Sequence, residues 1–184
     1  RYPELIEQRK NITDAYYILE KCYENGGKLL IAGNGGSASD SEHIVGELMK
    51  GFEKSRKFSD EDKKKLLDVD NEMGRILGEN LQYALPAIAL DGHSSLSTAY
   101  MNDCEPLLCF AQQVNGFGKE GDVFLAISTS GNSQNVVYAS IVAKAKKMKT
   151  IALTGAKDSR LSELADVTIH STNTRTYMIQ EHHL

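Results

Sequence analysis

The sequence predicts an α/β fold built on a parallel β-sheet covered by helices on both faces. Three observations predict it. Apolar runs such as Val123-Phe124-Leu125-Ala126 lack the alternation of a half-exposed strand, as expected of strands buried on both sides. Segments with apolar residues at helical spacing lie between these runs. The junctions from strand to helix are rich in glycine and serine, where an open α/β sheet keeps its ligand sites beyond the carboxyl ends of its strands.

In chain order, Leu5, Ile6, Ile12, Ala15, Tyr16, Leu19 and Tyr23 predict an amphipathic helix over about 4–24, stopped by Asn25-Gly26-Gly27. Lys28–Ala32 reads as a short buried strand. It enters the turn Gly33-Asn34-Gly35-Gly36-Ser37 and a second helix over about 38–49, with Ser37 its expected N-cap. Residues 52–82 change character: a charged stretch over 58–65 precedes irregular leucines and methionines. This predicts a helical excursion with a solvated start, inserted in one domain spanning 1–184.

Leu85–Leu90 is the next strand, its proline near the start where it is tolerated. Asp91–Ser95 turns the chain and, with Gly33–Ser37 and Ser128–Ser133, is one of three turns at strand carboxyl ends where a ligand is expected; helical patterns follow around 96–101 and 107–114. A strand over 123–127 leads into the turn Ser128-Thr129-Ser130-Gly131-Asn132-Ser133 and a helix marked by Val136, Val137, Ala139, Ile141, Val142 and Ala145. After a strand over 150–154, a short helix around 159–164 precedes Val167–His170. A last helix starts near Thr174 and is cut off at Leu184. There is no internal repeat and no low-complexity segment.

At 184 residues the chain can bury a proper core, and 41% hydrophobic and 25% charged residues are ordinary for a globular protein. The formal net charge of −4 argues against nucleic acid or an anionic membrane as partner. No apolar stretch approaches a membrane span and no signal peptide is visible. Three cysteines at spacings that match neither disulfide nor metal patterns favour a reducing, cytoplasmic setting. The chain begins with Arg and stops abruptly, so a trimmed sequence is expected.

The Ser128–Ser133 turn offers hydroxyls from Ser128, Thr129, Ser130 and Ser133 at a helix N-terminus, whose free N–H groups and partial positive charge suit a phosphate. No lysine or arginine lies within it. The alternative is a polar connection with Ser133 as N-cap, which needs one hydroxyl and not four. The Gly33–Ser37 turn matches neither a Walker loop nor the dinucleotide fingerprint. Its glycines allow close backbone approach to a ligand, or make a tight turn only.

His43 and Glu47 share a helical face at i, i+4 and can chelate a divalent metal or bond each other. Asp40 and Glu42 read as helix-start acids that favour the dipole. Asn102-Asp103 ends a helix before Pro106, or binds sugar hydroxyls. Gln180, Glu181, His182 and His183 crowd the end of the chain, and adjacent histidines on a helix point in different directions.

Gly33-Asn34-Gly35-Gly36-Ser37-Ala38 with Asp40, His43 and Glu47, then Asn102-Asp103, the Ile127–Ser133 run, and Ile179-Gln180-Glu181 with His183-Leu184 resemble one family in this order. It is the sedoheptulose 7-phosphate isomerase (phosphoheptose isomerase) family of the sugar isomerase (SIS) fold. The resemblance runs from the first helix to the last residue. It implies a three-layer αβα sandwich, flavodoxin- or Rossmann-like, with a five-stranded parallel sheet and an N-terminal helix. It also implies a homotetramer whose sites take residues from neighbouring subunits.

The implied reaction turns D-sedoheptulose 7-phosphate into D-glycero-D-manno-heptose 7-phosphate, the first step toward activated heptose for lipopolysaccharide or another surface glycan. Zinc is implied, with His43, Glu47 and Gln180 matching its ligands. Asn34, Gly35, Gly36, Glu47, Asn102, Asp103, Ser128, Thr129, Ser130, Ser133 and Gln180 match substrate contacts, and Glu47 matches the catalytic acid/base. A zinc bond would lower the basicity of Glu47, so its two roles compete. The family's further zinc ligand and second catalytic group, a histidine, is expected four residues beyond Leu184; His183 matches a different position. The excursion over 52–82 is longer than in many members, and the segment 170–174 is short. The rival expectation is a non-catalytic SIS protein that binds sugar phosphates or assists replication initiation; the matches at Glu47 and Ser130 argue for the enzyme.

Overall fold

The computed structural model describes residues 2–184. Its centre is a five-stranded sheet with every neighbouring pair parallel, in the order β2-β1-β3-β4-β5. The strands are β1 (Leu29–Ala32), β2 (Ala87–Ala89), β3 (Val123–Ser128), β4 (Lys149–Thr154) and β5 (Val167–His170). This is the doubly wound order whose direction reverses between β1 and β3, and the crevice of such a sheet opens there. The Gly33 turn and the Ser128 turn leave the carboxyl ends of those two strands, so the topology sets them side by side.

Period-two alternation divides the strand residues between two cores. Leu30, Ala32, Phe124, Ala126 and Ala152 face α6 (Cys109–Phe117) and α7 (Gln134–Ala145), packing with Phe110, Val114 and Val136. Leu29, Ile31, Val123, Leu125, Ile127 and Ile151 face α1 (Arg9–Glu24) and α2 (Gly36–Met49), packing with Ala15, Cys22, Ile44 and Leu48. The expected three layers follow from these two faces. Each fully buried large side chain contributes about 1.5–3 kcal/mol.

A 3₁₀ turn over Pro3–Gln8 runs into α1, which ends at Asn25 with Gly26 at φ +72°, as the Asn-Gly-Gly run predicts. The excursion over 52–82 resolves into two helices, α3 (Asp60–Val69) and α4 (Asn71–Asn80). Ser59 Oγ and Asp70 Oδ1 cap them by accepting from Asp62 N and Met73 N. The neck of the hairpin is pinned to α2: Arg56 donates to Leu48 O (2.6 Å) and Tyr83 O (2.8 Å), and Gln82 Oε1 accepts from Gly51 N.

α5 (Ser94–Asp103) reaches further in both directions than the expected 96–101, while β2 is shorter than the expected 85–90. α8 (Arg160–Leu164) carries a Ser159–Ser162 capping box, and α9 (Thr176–His183) closes the described chain. No helix among the described residues is long and apolar enough to cross a membrane.

Candidate active site at the carboxyl edge of the sheet

The two turns touch through a pair of side-chain amides. Asn34 Nδ2 donates to Asn135 Oδ1 (2.9 Å) and Asn135 Nδ2 donates to Asn34 Oδ1 (2.8 Å). This reciprocal pair ties the first turn to the first residues of α7 and fixes the mouth of the crevice. Ser128 is buried at the end of β3. Its hydroxyl lies 2.9 Å from Ser133 Oγ and 3.4 Å from Ser130 Oγ, so three of the four predicted hydroxyls form one cluster. Ser133 does occupy the N-cap position of α7, but its hydroxyl caps no N–H and is spent on Ser128. The serines are therefore kept for one another, and a ligand oxygen can replace those contacts.

The turn can take this shape only with glycine at 131. Its φ is +65°, and a Cβ there would fall 2.1 Å from Ser159 Oγ. Asn132 braces the turn from outside, donating to Ser130 O and accepting from Arg160 N. Thr129 O accepts from Gly155 N, tying the turn to the end of β4. Thr129 and Ser130 also line a hollow of about 300 Å³ with Gly155, Lys157 and Asn173. Lys157 thus brings a cation beside a turn that contains none, a proximity that its position 27 residues on hides from the local pattern.

The first turn differs from expectation in one respect. Gly35, at φ +57°, is the N-cap of α2, so the helix starts at Gly36 and Ser37 lies inside it, buried. Gly36 makes room for a separate group: a Cβ on it would fall 1.9 Å from Gln180 Nε2. The side-chain amide of α9 is thereby seated on the first residue of α2.

His43 Nε2 lies 3.8 Å from Glu47 Oε1, one turn apart on α2, with the imidazole largely exposed. Gln180, on Gly36, sits seven residues and two helical turns before His43, about 10 Å along the axis. The structure therefore joins two of the three expected metal ligands and holds the third, from α9, against the first turn of that helix. No group of three or more His, Cys, Asp or Glu is poised around a metal among the described residues. A nitrogen and a carboxylate oxygen one turn apart nonetheless suit zinc as two of its ligands. His182 and His183 have structural partners: His182 Nδ1 lies 2.9 Å from Ser171 Oγ and its Nε2 3.3 Å from Glu4, while buried His183 meets Thr154 O.

Asn102 and Asp103 end α5 on the surface, bonded to each other at 2.7 Å. Their neighbour Met101 lines a groove of about 290 Å³ with Gly33, Asn34 and Asp91. Asp40 is not the dipole-favouring acid the sequence suggests. It is the fifth residue of α2, its Oδ2 is buried without a partner, and burial pushes its pKa up against the lowering effect of His43. Asp91 opens the third turn at which the sequence expects a ligand, although the pattern assigns its carboxylate no role of its own. Its signal, a carboxylate immediately after a strand, is visible in the sequence, but the groove it shares with Ser97 of α5 and Cys109 of α6 is not.

The family description "SIS domain" matches residues 71–155. A phosphoheptose isomerase from a Nitratiruptor species is 37% identical over 178 residues, covering 97% of this chain and 81% of the relative. That of Dechloromonas aromatica is 39% identical over 94% of this chain and 76% of its own. Among solved structures, the phosphoheptose isomerases of Neisseria gonorrhoeae and Francisella tularensis superpose with TM-scores of 0.74 and 0.76. Each is 32% identical and covers 95% of this chain, which spans 79% of it.

Proposed function

The chain belongs to the phosphoheptose isomerase family, and on that premise we propose that it converts D-sedoheptulose 7-phosphate into D-glycero-D-manno-heptose 7-phosphate. One observation carries the reading: the serine cluster and the glycine turn meet at the switch point of the sheet, with His43 and Glu47 on the helix that leaves the glycine turn.

Ketose-to-aldose conversion removes a proton from C1, which leaves an enediolate. It then returns a proton to C2 while the hydroxyl proton of O1 moves to O2. Glu47 is the base for the first transfer, being a carboxylate one-third exposed at the site. Ser128, Thr129, Ser130 and Ser133, with the N-terminus of α7, hold the phosphate, and Asn34, Gly35, Gly36 and Gln180 position the sugar chain. Asn102 and Asp103 are assigned to its hydroxyls.

His43 and Glu47 would hold zinc, and Gln180, from α9, is the third ligand the family resemblance assigns. A bound zinc supplies electrostatic stabilisation to negative charge on a sugar oxygen. A homotetramer in the cytoplasm, serving a surface heptose, completes the reading. Association is supported by apolar side chains left on the surface: Ile12, Tyr16 and Tyr17 of α1, and Val69, Met73 and Ile76 of the α3–α4 hairpin.

The test is turnover. Purified protein incubated with sedoheptulose 7-phosphate yields the aldoheptose 7-phosphate by NMR; no product overturns the proposal. Metal analysis of the active protein returns zinc, and active protein free of zinc removes the metal assignment.

A further inference from the structure

One carboxylate at the carboxyl edge of the sheet keeps a buried oxygen without a partner. Asp91 lies in the 3₁₀ turn Leu90–Gly92 that directly follows β2. Ala89 pairs with Ile31, so the continuing register brings Asp91 beside Gly33, where the first turn begins. Asp91 lines the groove with Gly33, Asn34 and Gly35 on one side and Ser97 and Cys109 on the other.

Its Oδ1 is buried and has no hydrogen-bond partner. The oxygen is not a helix cap: α5 begins just beyond, with His93 at its N-cap and no side-chain cap bond. The charged neighbour that acts on it is Glu42, which has the same sign; Asp91's own backbone N–H and the hydroxyl of Ser41 act in the opposite direction. Burial is the larger effect, and it lifts the carboxyl to about 6.

The wall behind Asp91 is built and fixed. Gln113, itself buried, donates to Leu90 O at 2.8 Å and lies 3.6 Å from the Cys109 thiol, which lies 3.6 Å from Ser97 Oγ. The turn is therefore held from its inner side, while Asp91, which lines the groove, keeps its Oδ1 without a donor. A buried acceptor without a donor is a cost to the folded chain that a ligand can relieve. The donor that suits it is a neutral hydroxyl, because a second anion would be repelled. The phosphate and the hydroxyl-bearing carbons of one ligand then take different ends of the crevice: the phosphate at the serine cluster, the hydroxyls along the groove.

We infer that Asp91 is a specificity-determining substrate residue, accepting a hydrogen bond from a hydroxyl of the polyhydroxylated part of the sugar phosphate in the groove beside Asn34. This deepens the isomerase reading and rests on it.

The test compares wild-type protein with Asp91→Ala and Asp91→Asn, each assayed with sedoheptulose 7-phosphate and melted without ligand at pH 7.5. Asp91→Ala is expected to raise KM about tenfold or more, the scale of a lost hydrogen bond to a charged group, with a smaller change in kcat. Asp91→Asn, nearly isosteric and uncharged, is expected to melt above wild type because the burial penalty is gone. A purely structural carboxylate would give the opposite sign. Unchanged KM in Asp91→Ala, or a lowered melting temperature in Asp91→Asn, overturns this inference alone. No turnover by the wild-type protein overturns the isomerase reading and this inference with it.

Discussion

Carboxylates stand at both edges of the sheet, and they are treated in opposite ways. At the amino edge, Asp122 accepts from Lys28 N (3.0 Å) and Lys119 N (2.8 Å) and pairs with Lys28 Nζ (2.5 Å). Asp166, just before β5, accepts from Thr150 N (2.9 Å) and Lys149 Nζ (2.8 Å). At the carboxyl edge, Asp40 and Asp91 each bury an oxygen that nothing answers. Lys28 and Lys149 sit at or beside strand starts and serve the first pair; no lysine is spent on the second. The amino edge is stitched for stability, whereas the carboxyl edge keeps polar capacity in reserve, as a ligand edge does.

The largest expected effect breaks the stitched edge. Asp122→Ala strips three donors of their acceptor and leaves Lys28 without its partner, costing about 3 kcal/mol in urea denaturation. Turnover per folded molecule stays at the wild-type level, because the active edge lies at the other ends of the strands. A comparable loss of turnover would mean that the edges are not separate in role.

A smaller effect is expected at Gly36→Ala. Its Cβ meets the far end of the Gln180 side chain, which can move, so stability changes little while Gln180 leaves its seat. Turnover falls about tenfold, a loss of about 1.4 kcal/mol in transition-state stabilisation. A fall in melting temperature that fully accounts for the lost activity would assign Gly36 to packing alone.

The smallest effect is in pH, and its sign separates the edges. Asp91 is raised to about 6 in the fold, so its penalty is absent below about pH 4, grows between 4 and 6, and is complete above 6. The gain in melting temperature of Asp91→Asn over wild type should therefore be small at pH 4 and largest at pH 7.5. Asp166 behaves in reverse. Burial pushes it up, but Lys149 and Thr150 N outweigh that and hold it below the usual carboxylate range. Its contribution is present above about pH 4 and is lost as pH falls through the depressed value. Asp166→Asn should cost stability at pH 7.5 and progressively less in acid; parallel profiles for the two variants would erase the distinction.

Much of this architecture is legible in the sequence because it is written locally. The run Val123–Ala126 cannot be other than a buried strand once Ser128–Ser133 and a helical pattern follow it. The caps of the excursion, Ser59 and Asp70, are local as well, although the charge over 58–65 hides where its helices begin. The failures share a cause. Ser37 looks like a cap and Asp40 like a helix-start acid because the positive φ of Gly35, which starts α2 early, leaves no mark in the pattern. Lys157 becomes a site residue only when the turn after β4 arrives from elsewhere in the chain, and Asp91, though its turn is marked in the sequence, gains its groove only from α5 and α6. Gln180 is recognisable by its motif, yet its seat on Gly36 is a tertiary contact.

Glu47 is assigned as the base on the helix that leaves the glycine turn, away from the edge that Asp122 and Asp166 stitch. The most direct measurement is turnover of sedoheptulose 7-phosphate by Glu47→Gln, with its melting temperature and oligomeric state taken on the same sample. Turnover lost from a variant that melts and assembles as wild type is the predicted result. Turnover near the wild-type level in that variant would contradict the account.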